Sequence, residues 1–219
     1  MKKLLIFDLD GTLIDTLVDL KNAVNHALKL HNYPEVSLEH VRKSIGNGVA
    51  KLVARCIPNG VDNIDYENTL KEFRKYYSIH SEDYTKPYPY VKDVLINLKN
   101  DGYILCVATN KLSDIARPLI EKCYPQLFDY VQGDEMGMDR KPAPMMIETI
   151  CNRFNINKSD AFYIGDTNVD METANNSKVD YVLVTYGYRT KEELTIQCKD
   201  SPTIDSILEL PEYLKKSTY

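Results

Sequence analysis

The stretch that decides the fold is Leu5–Leu13, with the sequence LIFDLDGTL. An apolar run that begins at Leu4 ends here in two carboxylates one residue apart, Asp8 and Asp10, and a glycine follows at once. Short, uninterrupted apolar runs are typical of strands buried on both faces of a parallel sheet. We therefore expect a strand whose carboxyl end presents both acids, and alternation of side chains along an extended chain would point them in the same direction.

Similar apolar runs recur along the chain and alternate with stretches of helical periodicity. The other strand candidates are Tyr103–Ala108, Ala161–Ile164, Tyr181–Val184 and, more weakly, Phe128–Val131. The helix candidates between them are Val91–Asn100, Asp114–Lys122, Ala143–Phe154 and Val169–Asn176. Strands that alternate with helices form a mostly parallel sheet covered on both faces. The sequence thus predicts an α/β fold with a doubly wound, Rossmann-like sheet core.

The segment after the first strand breaks this alternation. Four helix candidates follow one another without a strand: Leu17–Leu30, Leu38–Ile45, Val49–Ile57 and Tyr66–Tyr77. The sequence TKPYPY at residues 85–90 then brings two prolines, which cannot lie inside a helix and mark a stiff connection. We predict an α/β core formed by residues 1–14 and 86–219, and an inserted helical cap domain formed by residues 15–85.

The composition argues against several classes of protein. With 219 residues, 43% of them hydrophobic, the chain is long enough for one sizeable domain that carries an insertion. A net charge of −5 without a basic run argues against partners such as nucleic acid or an anionic membrane, and no apolar run is long enough to span a bilayer. Five scattered cysteines without a C-x-x-C pair indicate a reducing, cytoplasmic location. Because the chain is acidic overall, an anionic substrate would need a metal ion or a well-placed lysine.

Polar residues gather at the ends of the predicted strands. Thr109 and Asn110 follow one strand, and Asp166 follows another, with Asp170 four residues later and Lys141 between the two strands. Because ligands bind at the carboxyl ends of the strands in open parallel sheets, these residues would share one rim with the two acids of the first strand. A single Asp-Gly pair is more often a plain turn, but several independent strand ends of this kind favour a functional site.

These residues resemble the four ordered motifs of the haloacid dehalogenase-like phosphohydrolase superfamily. The motifs are FDLDGT at residues 7–12, TNK at 109–111, KPAP at 141–144 and GDTNVD at 165–170. The resemblance covers essentially the whole chain, and the helical insert after the first motif resembles the C1-type cap of that superfamily. The segments GTLIDTLVDL, VRKSIGNGVAKLV, PYPYVKDVL and YGYRTKEEL are most similar to the phosphoglycolate phosphatase branch.

Two departures from the family's pattern lie outside the motifs. Tyr90 stands where the family often has glycine, and Asn176–Lys178 replaces a usual Ala-Gly pair. Neither departure changes a catalytic residue type.

The resemblance implies roles for the four aspartates. Asp8 would attack phosphorus and form an aspartyl-phosphate, and Asp10 would protonate the leaving oxygen and later activate water. The implied cofactor is Mg²⁺, a cation that prefers oxygen ligands. Its ligands would be the Asp8 carboxylate, the main-chain carbonyl of Asp10 and Asp166, while Asp170 belongs to the same metal site and supports these ligands.

The resemblance also implies which residues bind the phosphoryl group. Thr109 and Asn110 would donate hydrogen bonds to its oxygens, and Lys141 would neutralise its charge and that of the nucleophile. Gly11 would let the main chain turn close to the phosphoryl group. In the cap, Gly48 belongs to a Gly-Asn-Gly turn that could bring main-chain amides to the substrate, although such a sequence is also an ordinary turn.

The implied reaction is hydrolysis of a small-molecule phosphate ester, with 2-phosphoglycolate as the favoured substrate. Other phosphatases of the same fold, which act on sugar phosphates, nucleotides or pyrophosphate, stay open, as does a β-phosphoglucomutase. A different class of protein is a catalytically silent phosphate-binding or signalling module on a similar sheet, against which the complete set of catalytic residue types argues. The oligomeric state is left open between a monomer and a homodimer.

Overall fold

The computed structural model describes residues 2–216, so that Met1 and residues 217–219 of the predicted core lie outside the described residues. The chain divides into two compact units. One unit combines the chain up to Ile14 with the chain from Pro87 onward, and the other is formed by Asp15–Lys86. Within the described residues, no helix is long and apolar enough to cross a lipid bilayer.

The strands form one parallel sheet and one short ribbon. In chain order they are β1 (Leu4–Phe7), β2 (Ile14–Asp15), β3 (Lys86–Pro87), β4 (Ile104–Leu112), β5 (Tyr130–Asp134), β6 (Ala161–Gly165), β7 (Asp180–Val184) and β8 (Thr203–Ile204). The sheet has the order β5-β4-β1-β6-β7-β8, and its neighbouring strands run parallel. The two-residue strands β2 and β3, where the chain leaves and re-enters the sheet unit, pair with each other. The predicted doubly wound α/β fold is confirmed.

Strand β1 is buried on both faces, as its continuous apolar sequence predicts. Leu5 and Phe7 pack into the core on one side of the sheet, and Leu4 and Ile6 pack into the core on the other side. All four side chains are fully buried. Period-two alternation in a strand covered on both faces explains why every position is apolar.

The unit Asp15–Lys86 is helical. Its helices are α1 (Leu17–Leu30), α2 (Leu38–Ser44), α3 (Val49–Cys56) and α4 (Tyr66–His80). Asp19, in the first turn of α1, is buried and accepts hydrogen bonds from the main-chain amides of Tyr84 and Thr85 and from the Thr85 hydroxyl. This carboxylate joins the beginning of the unit to its end, because it satisfies main-chain donors more than sixty residues away in the sequence.

The helices of the sheet unit are α5 (Val91–Asn100), α6 (Ser113–Cys123), α7 (Met145–Phe154), α8 (Asn168–Ser177), α9 (Lys191–Gln197) and α10 (Leu210–Lys216). The apolar periodicity predicts α5 to the residue. Strand β4 is longer than predicted and continues through Thr109 and Asn110 to Leu112, with a register shift against β5 between Ala108 and Leu112. The strand predicted at Phe128–Val131 begins two residues later and spans Tyr130–Asp134.

Tyr90 adopts a left-handed conformation, with φ of 63°, at the residue before α5. A Cβ atom in this region clashes with the main chain, and glycine avoids the clash. We expect Tyr90→Gly to raise the free energy of unfolding by about 0.5–1 kcal/mol, which is about 1–4 °C in Tm for a protein of this size. Thermal denaturation would measure the shift. Tyr90→Ala, which also removes the exposed ring but keeps the Cβ atom, is the control, and an equal gain in this variant would contradict the conformational explanation.

Candidate active site

Three neighbouring strands bring most of the predicted site residues to one edge of the sheet. Asp8 follows β1 at the centre of the sheet, Thr109 and Asn110 belong to the last part of β4, and Asp166 follows β6. Lys141 lies in the connection between β5 and α7. Because the strands are parallel and β1 lies between β4 and β6, their carboxyl ends meet where the strand order reverses, which is where ligands bind in such sheets.

Lys141 connects two of the aspartates. Its Nζ atom lies 2.7 Å from Asp8 Oδ1 and 2.8 Å from Asp170 Oδ1, and it donates a hydrogen bond of 2.9 Å to the Tyr163 hydroxyl. The lysine side chain is 2% exposed. A buried ammonium is tolerated only with such partners, because water no longer solvates its charge. The oxygen of Asp8 is therefore held in place by a cation that Asp170 and Tyr163 fix in turn.

The main chain of Lys141 is fixed by Asn110. The side-chain amide of Asn110 donates to the Lys141 carbonyl at 3.0 Å, and its oxygen accepts from the Lys141 amide at 2.8 Å. Both ends of the Asn110 amide are thus used within the protein. The predicted hydrogen bond from Asn110 to a phosphoryl oxygen stays a prediction, and the structure gives the residue a second role in positioning Lys141. The buried Thr109 hydroxyl accepts from the Lys111 amide at 3.2 Å.

Asp166 is fully buried under a turn that requires glycine. It accepts hydrogen bonds from the Thr12 hydroxyl at 3.2 Å and from the Tyr188 amide at 2.7 Å. Gly11 has a φ of 93°, and a Cβ atom at this position would overlap the Asp166 carboxylate. A Cβ atom at Gly187 would overlap both Asp166 and the Gly11 carbonyl. The two glycines therefore allow main chain to pack directly against the acid.

Asp170 is saturated with hydrogen-bond donors. Its Oδ1 atom accepts from Lys141 and from the Tyr163 hydroxyl, at 2.8 and 2.9 Å. Its Oδ2 atom accepts from the amides of Asp166 and Thr167 and from the Thr167 hydroxyl. Thr167 is the N-cap of α8, and Asp170 completes its capping box. One oxygen from each of Asp8, Asp166 and Asp170 lies within 4.8 Å of the others, but the five donors on Asp170 leave Asp8 and Asp166 as the better candidates for direct contact with a cation.

Burial and mutual repulsion raise the pKa values of two of the acids, whereas Lys141 and other donors lower the pKa of the third. Burial raises the pKa of Asp8 to about 7, with Lys141 opposing this shift and Asp170 adding to it. The pKa of Asp166 lies well above its ordinary value because of burial and of the charges of Asp170 and Asp8. Burial also disfavours ionised Asp170, but Lys141 and the other donors outweigh it and lower its pKa. Ionisation of Asp8 and Asp166 is therefore unfavourable in the free protein, and a cation bound between them would favour their ionised forms.

Asp10 has a different partner from Asp8. Strand β1 ends at Phe7, and Asp8, Leu9 and Asp10 follow beyond it. Simple strand alternation therefore does not set the directions of the two acids, and they contact different cations. Lys111 Nζ lies 2.9 Å from Asp10 Oδ1, and this lysine side chain is 3% exposed.

Several residues at this site were not among the predicted site residues. Lys111 belongs to the TNK motif, so its position was visible in the sequence although its partner was not. Tyr163 gave no signal beyond strand propensity, because its hydroxyl reaches Lys141 and Asp170 only once the register of β6 is known.

Gly48, by contrast, was among the predicted site residues and belongs to the helical unit. It has a φ of 81° and precedes α3, and its contact with a substrate stays a prediction.

Comparison with known proteins supports the resemblance seen in the sequence. The chain is 33% identical over 201 residues to a phosphoglycolate phosphatase from Aliivibrio fischeri, with 88% of each chain covered. It is 30% identical to a phosphoglycolate phosphatase from Vibrio parahaemolyticus, over 98% of this chain and 97% of that protein.

The fold matches solved structures over nearly its full length. The crystal structure of a predicted phosphoglycolate phosphatase from Lactobacillus delbrueckii subsp. bulgaricus superimposes with a TM-score of 0.92, at 30% identity, and covers 98% of this chain and 99% of that one. Residues 5–184, which include every aspartate of the cluster, match the haloacid dehalogenase-like hydrolase family. The protein is therefore a hydrolase that belongs to the haloacid dehalogenase-like family, as its motifs predict.

Proposed function

We propose that the protein is a Mg²⁺-dependent phosphatase that hydrolyses small phosphomonoesters through an aspartyl-phosphate on Asp8, with 2-phosphoglycolate as the favoured substrate. The observation that supports this most directly is the ion pair of 2.7 Å between Lys141 and Asp8 at the carboxyl end of the central strand. This position suits a carboxylate nucleophile, because ligands bind at this edge in parallel sheets.

In the first step, an oxygen of Asp8 attacks phosphorus and the bond from phosphorus to the ester oxygen breaks. The electron pair of that bond goes to the leaving oxygen, which takes a proton from Asp10. Lys141 stabilises the negative charge on the phosphoryl oxygens, and the Thr109 hydroxyl donates a hydrogen bond to them. Phosphoryl transfer depends mostly on such positioning and charge stabilisation.

In the second step, water attacks the phosphorus atom of the aspartyl-phosphate and gives a proton to Asp10. The bond between phosphorus and the Asp8 oxygen breaks, which releases phosphate and restores the carboxylate. Asp10 serves both steps because it becomes ionised in the first and protonated in the second. Its partner Lys111 differs from the Lys141 that holds Asp8, so the two carboxylates can take separate roles.

The residues at the site fit a magnesium ion. Asp8 and Asp166 supply carboxylate oxygens, which Mg²⁺ prefers, and the carbonyl of Asp10 follows Asp8 closely in the chain. When bound, the ion supplies positive charge that offsets the repulsion between the acids and a phosphate dianion. Asp170 keeps Lys141 in place and orients the turn between Asp166 and Thr167 through its hydrogen bonds.

Magnesium is expected to stabilise the protein more at pH 8 than at pH 6. Folded-state pKa values of Asp8 and Asp166 above the ordinary value give stability at low pH that is lost as the pH rises toward and beyond about 7. A cation that binds the ionised acids restores this stability at high pH. At a concentration of 100 times Kd, binding contributes about 2.7 kcal/mol, or about 5–10 °C in Tm.

Thermal denaturation with and without Mg²⁺ at the two pH values would measure this effect. Asp166→Asn is the matched variant, because it removes one charge while it keeps an oxygen for the Tyr188 amide. We expect this variant to lose the Mg²⁺-dependent shift. An equal shift at both pH values, or a full shift in Asp166→Asn, would contradict the assignment of the metal to this cluster.

The proposed activity can be tested by measuring phosphate release with Mg²⁺ from 2-phosphoglycolate, sugar phosphates, nucleotides, pyrophosphate and an aryl phosphate. We expect release that stops on chelation, with the highest kcat/KM for 2-phosphoglycolate, as the names of the similar proteins suggest. Weak release from all compounds alike would keep the phosphatase and reject the substrate. Isomerisation of a sugar phosphate without net phosphate release would instead identify a mutase.

A further inference from the structure

Lys111 is a buried cation near the proposed reaction centre. The reaction steps proposed above do not require it to contact the phosphoryl group. Its side chain is 3% exposed, and its Nζ atom lies 2.9 Å from Asp10 Oδ1. A lysine with this little exposure loses most of its hydration. Lysines are rarely so buried unless another group compensates their charge. The partner here is the acid proposed to protonate the leaving group.

The local structure of β4 directs Lys111 to this place. The register of β4 against β5 shifts between Ala108 and Leu112, and such irregularities re-aim side chains near functional sites. The Lys111 amide donates to the Thr109 hydroxyl. Gly133 on β5 makes room for this arrangement, because a Cβ atom there would lie 2.7 Å from the Lys111 carbonyl oxygen. The position of the lysine is thus fixed by main-chain geometry as well as by its ion pair.

We propose that Lys111 binds a carboxylate on the leaving group of the substrate, so that it determines specificity for phosphate esters of hydroxy acids. This inference rests on the proposed function, since it uses Asp10 as the residue next to the leaving oxygen. A general acid lies about 2.6–3.2 Å from the oxygen that it protonates. Lys111 Nζ, at 2.9 Å from Asp10, is therefore within about 6 Å of that oxygen.

The chemistry of a 2-phospho-hydroxy acid matches this distance. In 2-phosphoglycolate a single methylene separates the ester oxygen from the carboxyl carbon, so the carboxylate must lie beside the leaving oxygen wherever the phosphoryl group binds. The acids around Asp8 repel such a carboxylate, and the ammonium of Lys111 offsets this repulsion on the leaving-group side. The substrate carboxylate joins or replaces the contacts that Lys111 makes in the free protein.

The test compares two substrates that differ in one group: 2-phosphoglycolate and 2-hydroxyethyl phosphate, in which an uncharged hydroxymethyl group replaces the carboxylate. Steady-state kinetics would be measured with Mg²⁺ for the wild-type protein, Lys111→Met and Lys111→Arg. We expect Lys111→Met to lower kcat/KM for 2-phosphoglycolate about 10- to 100-fold more than for 2-hydroxyethyl phosphate, with most of the difference in KM. Lys111→Arg keeps the charge and is expected to recover part of the preference.

Lys158→Met is the matched control, because Lys158 also pairs with a carboxylate, that of Glu148 at 2.7 Å, but lies before the amino end of β6. It should leave the ratio of the two kcat/KM values unchanged. An equal loss on both substrates in Lys111→Met would overturn the proposal and make Lys111 a positioning residue for Asp10. A wild-type protein that hydrolyses an aryl phosphate but does not prefer the carboxylate substrate would overturn it while the phosphatase function stands. No release from any compound by the wild-type protein would overturn both.

Discussion

Asp8→Asn is expected to lower kcat for phosphate release by about 10⁴-fold or more, the scale of loss when a nucleophile is removed. The amide has nearly the shape of the carboxylate, but it lacks the charged oxygen that attacks phosphorus. Acid-quenched enzyme would also show no covalent phosphate by mass spectrometry. Activity at an appreciable fraction of wild type would reject Asp8 as the nucleophile.

Stability separates this chemical loss from unfolding. Burial raises the pKa of Asp8 to about 7, so the fold disfavours its ionised form, and a neutral amide removes that cost above neutral pH. Lys141 keeps its ion pair with Asp170. We therefore expect the Tm of Asp8→Asn at pH 8 to equal or exceed that of the wild type.

Asp134→Asn is a matched control for this variant. Asp134 is also a buried aspartate at the carboxyl end of a strand, β5, and it also pairs with a cation, Arg140, at 2.7 Å. The control removes the same charge at the end of β5, two positions from β1 in the sheet, without touching the aspartate cluster. Its kcat should stay within about twofold of the wild type, and a loss as large as that of Asp8→Asn would mean that the assay reports general damage to this edge of the sheet.

The sequence was most informative where one periodicity dominates a segment. The α1 and α5 helices have the predicted bounds because their apolar positions repeat at helical spacing and no proline or glycine interrupts them. Strand β1 is equally clear because it is buried on both faces. The two-residue strand β8 and the helix α9 were not predicted, since such short elements depend on tertiary contacts more than on local pattern.

At the site, the sequence identified residue types and the structure assigned partners. Asp8, Lys141 and Asp170 were expected at one rim, and they form direct ion pairs there. The use of the Asn110 side chain to hold the Lys141 main chain could not be foreseen, because these residues are 31 positions apart and meet only after the connection to α7 folds back. The contact of Lys111 with Asp10 depends likewise on the register shift in β4.

Lys141→Met is expected to cost both activity and stability. Loss of a charge-stabilising donor lowers rates by about 10²–10³-fold, and here the residue also holds the nucleophile. Removing one member of a buried ion pair costs about 3–5 kcal/mol, because the remaining charges lose their compensation. Lys141 compensates two carboxylates, Asp8 and Asp170, so the free energy of unfolding should fall by an amount in this range. Chemical denaturation and steady-state kinetics would measure the two effects.

The double variant Lys141→Met, Asp170→Asn distinguishes the electrostatic cause from the loss of packing. Asparagine can keep its carbonyl oxygen toward the amides of Asp166 and Thr167 and turn its NH₂ group toward the Tyr163 hydroxyl, which can accept. If uncompensated charge is the main cost, the double variant should be more stable than Lys141→Met by about 1–3 kcal/mol. Its activity should stay at the level of the single variant, because the cation next to Asp8 is still missing. A double variant no more stable than Lys141→Met would assign the loss to packing of the lysine stem instead, whereas recovered activity would show that Lys141 acts mainly by offsetting Asp170.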